Sequence, residues 1–463
     1  MNKPLRVAML SEHASPTALL GGEDAGGQNV YVDQVSRRLG AMGYAVDVYT
    51  RRDSTAAPET MAWAPGVRIV NVCAGPPAAL LKDAIWPHMP AFRDEILRFM
   101  RRDGACYDVL HGNFWMSGHV GVDLSRRLDI PLVQIFHATG LTKRRHQGDQ
   151  DTSAAERVAI ERGVVAGAAR VIAQCPTERD ELIDDYGADP ARVALVPSGV
   201  DTECFRPVPR DAARRRIGLE GDGPVVVYVG RMLPRKDVRN VVRAVALLAA
   251  GAPGVGRVPG VRLLVVGGEA PDAAGEGEGL PGSAGVSPAS GAGDAVAEAA
   301  EVRRLAAELG IAERVIFAGR RQPEVLRDYY SAADVAATTP WYEPFGLTPL
   351  EAMACGRPVV GSAVGGITST IAEGSTGYLV PPRDPLALAQ RLGEILSSAE
   401  LGARMGLAAR QRVEEHFTWP VVAARTAAVY REALARVAPR EAGVREVVAG
   451  GGAVRVRSGA TRR

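Results

Sequence analysis

Cysteine is scarce. There are five in 463 residues, Cys73, Cys106, Cys175, Cys204 and Cys355, and no two form a Cys-x-x-Cys pair. That argues against a zinc cluster and favours a reduced, cytoplasmic compartment over a disulfide framework. Charge of one sign is also lacking: 55 Lys and Arg stand against 53 Asp and Glu, a formal net charge of +2. No global field therefore points to nucleic acid or an acidic polymer as partner. No apolar run is long enough to span a bilayer, and the chain enters a strand-like run at Leu5–Leu10 without the charged-then-apolar layout of a signal segment. These absences leave peripheral membrane contact and oligomeric state open. What the chain does have is length, enough for two or three domains with sizeable cores.

Apolar runs at Arg6–Leu10, Ala45–Tyr49, Val67–Val72, Val109–Leu110, Pro131–Ile135 and Ala169–Ala173 read as strands, alternating with helical spacing such as Val30–Met42. That is the pattern of an α/β fold with a parallel, doubly wound sheet, whose ligands bind beyond the carboxyl ends of the strands. The first such place is Gly21-Gly-Glu-Asp-Ala-Gly-Gly-Gln28, a glycine-rich loop ahead of a helix; it suits phosphate or sugar, although flexible turns use the same residues. His111-Gly-Asn113-Phe-Trp115 and His137-Ala-Thr-Gly140 follow two later strands and place a histidine at each strand end. Lys143-Arg144-Arg145-His146 reads as a basic loop, either ordinary solvated surface or a seat for an anionic acceptor.

A second α/β unit begins at Pro224–Gly230, followed at once by Gly230-Arg231-Met-Leu-Pro-Arg-Lys236 before a helix at Val238. Two cations around a short turn at a strand end can hold a diphosphate leaving group, yet Arg-x4-Lys is common on surfaces. Further on, Trp341-Tyr-Glu343-Pro-Phe345-Gly346-Leu347-Thr348-Pro-Leu-Glu351 runs from a loop into a helix at Pro349–Cys355. Its amides at Phe345, Gly346 and Leu347, with the helix dipole behind them, suit an anionic or polyhydroxyl ligand. Strands are expected at Val261–Gly267, Arg314–Gly319, Asp334–Thr338 and Pro358–Ser362, a close-approach turn at Gly365-Gly366, and helix from Pro385 to His416. Residues 268–295 are rich in Gly, Ala, Pro, Ser and Glu and read as a disordered insertion, with helix resuming at Val296; residues 438–463 read as a mobile basic tail.

Taken together, the Glu343-x7-Glu351 segment, the preceding Ser331-Ala-Ala-Asp334, the following Ala354-Cys-Gly-Arg-Pro-Val-Val360, the Arg231/Lys236 pair and the Pro197-x-Gly-Val-Asp201 linker resemble retaining GT-B glycosyltransferases of the family-four group. The Ala25-Gly-Gly-Gln28 loop is similar to the Asp-Thr-Gly-Gly-Gln loop of the sucrose synthase and sucrose-phosphate synthase branch, with Ala25 in place of threonine. Within the group that loop and Thr142–His146 favour the sucrose-type and inositol-phosphate branch.

The resemblance implies two Rossmann-like domains facing across a cleft: residues 1–200 for the acceptor, 201–416 for the nucleotide sugar, and a terminal helix at 417–437 returning to the first domain. It implies transfer of a hexosyl group from a nucleotide diphosphate sugar, UDP-glucose-like, to a small sugar, sugar phosphate or polyol, with no cofactor and no metal. His137, Arg231, Lys236 and Glu343 are then the catalytic set. Gly26, Gly27, Arg320, Phe345, Gly346, Leu347, Thr348 and Glu351 bind donor, Glu351 through the ribose hydroxyls. Gln28, His111, Asn113, Trp115, Lys143, Arg144 and Arg145 bind acceptor. Alternatives are a lipid- or polysaccharide-directed mannosyl- or glucosyltransferase using a GDP- or UDP-sugar, a phosphorylase or epimerase on the same framework, and a non-catalytic sugar-binding scaffold.

Overall fold

The computed structural model describes residues 4–18, 26–148, 151–268, 290–436, 445–449 and 452–456. The chain divides into two compact units, one formed by residues 1–197 and 422–463, the other by residues 198–421.

In the first unit, β1 (Arg6–Leu10), α1 (Gly27–Ala41), β2 (Ala45–Arg51), β3 (Thr60–Ala64), β4 (Val67–Val72), α2 (Met89–Asp103), β5 (Val109–Asn113) and α3 (Phe114–Leu128) come first. They are followed by β6 (Leu132–Ile135), α4 (Gly140–Gln147), α5 (Arg157–Gly167), β7 (Arg170–Ala173), α6 (Pro176–Asp184) and β8 (Val193–Leu195). The sheet order is β3-β4-β2-β1-β5-β6-β7-β8. Val7 to Leu10 of β1 are fully buried, as expected of a central parallel strand covered on both faces. The sheet is not wholly parallel: β3 pairs antiparallel with β4 at the edge. Its residues are exposed or half-buried, so the apolar signal used to find strands was weak there.

The second unit runs α7 (Arg210–Arg216), β9 (Val225–Val229), α8 (Val238–Ala250), β10 (Arg262–Val266), α9 (Ser290–Glu308), β11 (Val315–Gly319), α10 (Pro323–Ala332) and β12 (Val335–Thr338). It continues with α11 (Leu347–Ala354), β13 (Val359–Ser362), α12 (Ile367–Thr370), β14 (Gly377–Val380), α13 (Pro385–Leu396) and α14 (Ala399–His416). Its sheet, β11-β10-β9-β12-β13-β14, is parallel throughout. Alternate residues of β9 serve two cores. Val226 and Tyr228 join α8 and α13, while Val225 and Val227 join α11 and α14. Helix α8 meets its face with Val238, Val241, Val242, Val245 and Leu248, the spacing of one helical stripe. Each such buried side chain contributes about 1.5–3 kcal/mol of transfer free energy.

Four expectations are corrected. The helical stretch 385–416 is two helices, because Ser398 accepts a hydrogen bond from the Leu401 amide and starts α14 afresh. The acceptor cluster at Lys143–His146 lies on α4, not on a loop. Helix α9 starts at Ser290 rather than Val296; extending a helix already held by packing at Val302 costs little for an alanine-rich run. The rest of the proposed insertion, 269–289, lies outside the described residues. In the tail, β15 (Arg445–Ala449) and β16 (Gly452–Val456) pair antiparallel. The signal was present as two valine-bearing runs separated by Gly450-Gly451.

Helix α15 (Trp419–Arg436) enters the first unit from Val422 onward. There the Tyr430 hydroxyl lies 2.6 Å from Nδ1 of His111, and both side chains are fully buried. Truncating Tyr430 to Phe leaves that nitrogen unpaired in the core. The Tyr430→Phe variant is expected to lose about 1–3 kcal/mol of stability, read by denaturant unfolding of the first unit.

Candidate active site

In the second sheet the strand order reverses beside β9, whose neighbours are β10 and β12. Loops leaving adjacent strands in opposite senses open a crevice there, the switch point where ligands of doubly wound sheets bind. The two loops are Gly230–Asp237 after β9 and Thr339–Gly346 after β12, and they carry Arg231, Lys236 and Glu343. Lys236 Nζ donates to Glu343 Oε2 in an ion pair that is about one-fifth exposed on each side. Arg231 is exposed at the start of its loop.

Backbone fastens the loops together. The Trp341 amide donates to the Arg235 carbonyl at 2.9 Å, and Thr339 Oγ1 to the Asp237 carbonyl at 2.9 Å. From the other side the Gly366 amide donates to the Glu343 carbonyl at 3.1 Å. Gly365 has φ +45°, and a Cβ there would lie 2.0 Å from the Glu343 carbonyl oxygen; one on Gly366 would lie 2.4 Å from the Phe345 Cα. Glycine is required at this turn because backbone crosses backbone.

Gly346, at φ +86°, opens α11, so Leu347 and Thr348 form its first turn and Phe345 is buried beneath it. Glu351 lies one turn further on, its Oε2 accepting from the Tyr330 hydroxyl at 2.8 Å. Burial pushes its carboxyl up to about 7, against the opposing pull of that hydrogen bond. Arg320 is exposed just after β11, two strands from β9, which is about 10 Å at ordinary strand spacing.

In the first unit Gly26 caps α1, and Gly27 and Gln28 are its first residues rather than loop. Residues 21–25 of the glycine-rich stretch lie outside the described residues. Asn29 fixes the helix start by accepting from the Gly26 amide at 3.0 Å and donating to the Ser15 carbonyl at 3.0 Å. Gln28 is half-buried.

The structure moves three assignments. Strand β5 extends to Asn113, so His111 lies inside the strand and not beyond it. It is fully buried, and burial pushes its ring down to about 3. Trp115 is a core residue in the first turn of α3, packed on Trp86 at 4.6 Å, with almost no surface left for an acceptor. Asn113 is buried as well and acts through a neighbour. Its Nδ2 donates to the Leu10 carbonyl at 3.2 Å, and its Oδ1 lies 3.1 Å from His137 Nε2. That arrangement makes Nε2 the protonated nitrogen of His137 and leaves Nδ1 as an acceptor. His137 is only partly buried, and it adopts φ +60°, a left-handed conformation that few non-glycine residues hold. Burial, with His111 and His13 adding, pushes it down to about 3, so it is neutral at physiological pH.

On α4, Lys143 pairs with Asp151 at 3.0 Å and Arg145 with Asp185 at 2.7 Å. Arg144 is exposed, with no ion pair among the described residues. The start of α4 is anchored by Glu161, whose carboxylate accepts from the Gly140 amide, Arg157 and the Tyr186 hydroxyl.

Sequence reasoning passed over Glu12 and His13, which follow β1 at the first sheet's own switch point. Glu12 is buried, 2.8 Å from His13 Nδ1, and accepts from Ser117 Oγ. An acid-histidine pair directly after the first strand was the available signal. Tyr330 was also missed, since nothing in the sequence links it to Glu351.

Residues 209–412 match the model "Glycosyl transferases group 1", and residues 25–204 match "Glycosyltransferase Family 4". The chain is 39% identical over 437 residues to D-inositol 3-phosphate glycosyltransferase of Acidothermus cellulolyticus, covering 93% of this chain and 91% of that protein. The chain belongs to the GT-B glycosyltransferases of family 4. The Streptomyces scabiei D-inositol 3-phosphate glycosyltransferase is 38% identical, with 93% and 92% covered. Among solved structures, sucrose-phosphate synthase from Thermosynechococcus elongatus superposes with a TM-score of 0.78 at 31% identity, covering 93% of this chain and all of that one. Anabaena HepE in complex with UDP and glucose shares the fold, with a TM-score of 0.65 at 18% identity over 92% and 98% of the two chains.

This glycosyltransferase therefore acts on a nucleotide sugar. Among its described residues no group of three or more His, Cys, Asp or Glu could hold a metal ion, and no helix is long and apolar enough to cross a membrane.

The raised Glu351 carboxyl makes a prediction about stability. Between the ordinary 4.5 and about 7 the folded protein keeps a proton that the unfolded chain has lost. Its contribution is fully present below the unfolded value and is lost as pH rises through 7. A Glu351→Gln variant, which keeps an acceptor for Tyr330, should show a smaller fall in melting temperature from pH 5 to pH 8 than the parent. Equal slopes in the two proteins would contradict the assignment.

Proposed function

We propose that this glycosyltransferase moves a hexosyl group from a UDP-glucose-like donor to a hydroxyl of a small phosphorylated polyol or sugar phosphate. The reading includes retention at the anomeric carbon and no metal requirement. The observation that carries it is the Lys236–Glu343 pair at the switch point. A donor offers each partner a replacement. Its diphosphate takes the lysine, and the sugar hydroxyls take the carboxylate.

As the bond from the anomeric carbon to the diphosphate oxygen breaks, negative charge grows on the leaving group. Lys236, Arg231 and the first-turn amides of α11 stabilise it most at that stage. The acceptor oxygen bonds to the same face of the carbon, and its proton passes to the departing phosphate oxygen, so no separate base is needed. Glu351 accepts from the ribose hydroxyls, Arg320 lies toward the base, and Gly26 and Gly27 serve the diphosphate side. On the acceptor side the reading keeps Gln28 and Arg144. His137 meets the transferred sugar through its carbonyl or its unprotonated Nδ1, with Asn113 positioning the ring. The relatives' names support a phosphorylated cyclitol as acceptor, since they are D-inositol 3-phosphate glycosyltransferases.

The first experiment is a thermal-shift screen of UDP-, ADP- and GDP-sugars without added metal, followed by assay with D-inositol 3-phosphate and with unphosphorylated inositol. A UDP-sugar should raise the melting temperature by mass action, and the phosphorylated acceptor should be glycosylated faster. No shift with any nucleotide sugar, in folded protein, would favour the scaffold reading.

Arg231→Ala should lower kcat by about 10²–10³ with the fold intact, a loss typical of one preorganised charge-stabilising donor. His137→Ala should lower kcat while leaving donor affinity near that of the parent. Unchanged kinetics in both variants would remove these residues from the site.

A further inference from the structure

A second concavity lies in the same unit, lined by the start of α8, by Trp341 and by the loop before α13. Its volume is about 370 Å³, and neither Lys236 nor Glu343 lines it. Its polar lining is dominated by donors. Arg239 is engaged with Glu298 through two hydrogen bonds, so its charge is already matched. Arg243 and Arg383 are exposed and have no ion-pair partner among the described residues. The Arg383 guanidinium instead sits 3.9 Å over the Trp341 ring.

Asn240 is 2% exposed, and its Nδ2 is without a hydrogen-bond partner. A buried amide hydrogen left unpaired is costly, and most such groups in folded proteins are satisfied. The carboxylate of this lining, Asp237, is buried and taken up by Trp341 Nε1 at 2.9 Å. Two guanidiniums, both within Coulomb reach of the one carboxylate, therefore leave an excess of positive charge around an unsatisfied buried donor, in a cavity of small-molecule size.

We propose that this cavity is a binding site for a small phosphate monoester, with Arg243 and Arg383 on the phosphate oxygens and Asn240 Nδ2 donating to the ligand. Guanidinium favours phosphate through paired, charged hydrogen bonds, and the volume exceeds that of the bare anion, leaving room for the organic part. The site is separate from the donor pair, yet it shares chain with it: Asp237 follows Lys236, and Trp341 precedes Glu343 by two residues. The inference does not depend on which sugar is transferred.

The test is calorimetric titration of the full-length protein with glycerol 3-phosphate, with glycerol and sodium chloride of equal ionic strength as controls. Glycerol 3-phosphate should bind and the controls should not. Arg243→Gln and Arg383→Gln should each weaken binding several-fold, and the double variant at least about tenfold, as expected for loss of charge-assisted hydrogen bonds. Lys236→Ala should retain it. Two single variants guard against a folding defect in either. Binding that survives in the double variant would overturn the proposal, placing the phosphate at the donor pair if it is lost in Lys236→Ala and on the acceptor side if it is lost in Arg144→Gln. Absence of binding to the parent protein would also overturn it.

Discussion

The Lys236–Glu343 ion pair, which joins the two loops at the second sheet's switch point, is weak. A partly exposed pair of long side chains contributes little to stability, since Coulomb gain is offset by hydration and side-chain entropy. Its position comes from elsewhere: the Trp341–Arg235 and Gly366–Glu343 backbone hydrogen bonds, the Thr339 bond to Asp237, and two glycines where any side chain would strike backbone. The loops are held by bonds in which neither of the two charged groups takes part. The charges are left free to exchange partners, and that is the arrangement a site needs if a diphosphate is to be taken up without rebuilding the protein.

The first unit solves a different problem, holding a strained turn. His137 sits at positive φ beyond β6, and the segment after it is tied down by Glu161, which is fully buried and accepts from the Gly140 amide, Arg157 and Tyr186. A buried acid is tolerable only when its oxygens are all engaged. Here the engagement fixes where α4 begins. Asn113 adds a constraint from β5 by orienting the His137 ring. A histidine kept neutral by its surroundings acts as a hydrogen-bonding group of fixed tautomer rather than as a cation.

Much of this was legible. Parallel strands covered on both faces are nearly continuous apolar runs, so β1, β4, β9 and β13 stand out in the sequence. The Arg231/Lys236 and Glu343/Glu351 motifs could be placed on strand-to-helix junctions for the same reason. What escaped detection had weak local signal. The edge strand β3 buries little, and α4 is too polar for a clear apolar stripe. The Ser397-Ser398 break between α13 and α14 is a capping event within a continuous helical pattern. His111 was misplaced because a strand end is the least certain boundary to read: three more residues of β5 moved it from a strand end into a core.

The amino-acid order by itself determined the two α/β units, the family and the chemical types gathered at the second switch point, because periodicity and motif spacing are local properties of the chain. Partnership was decided only by the tertiary structure. That Lys236 meets Glu343, that Tyr330 meets Glu351 and that Tyr430 meets His111 across 319 positions depends on which strands become neighbours. So does the burial that raises the Glu351 carboxyl and lowers the His111 and His137 imidazoles. Such long-range pairings carry no periodic signature, and desolvation depends on everything packed around a group rather than on the residues beside it in the chain.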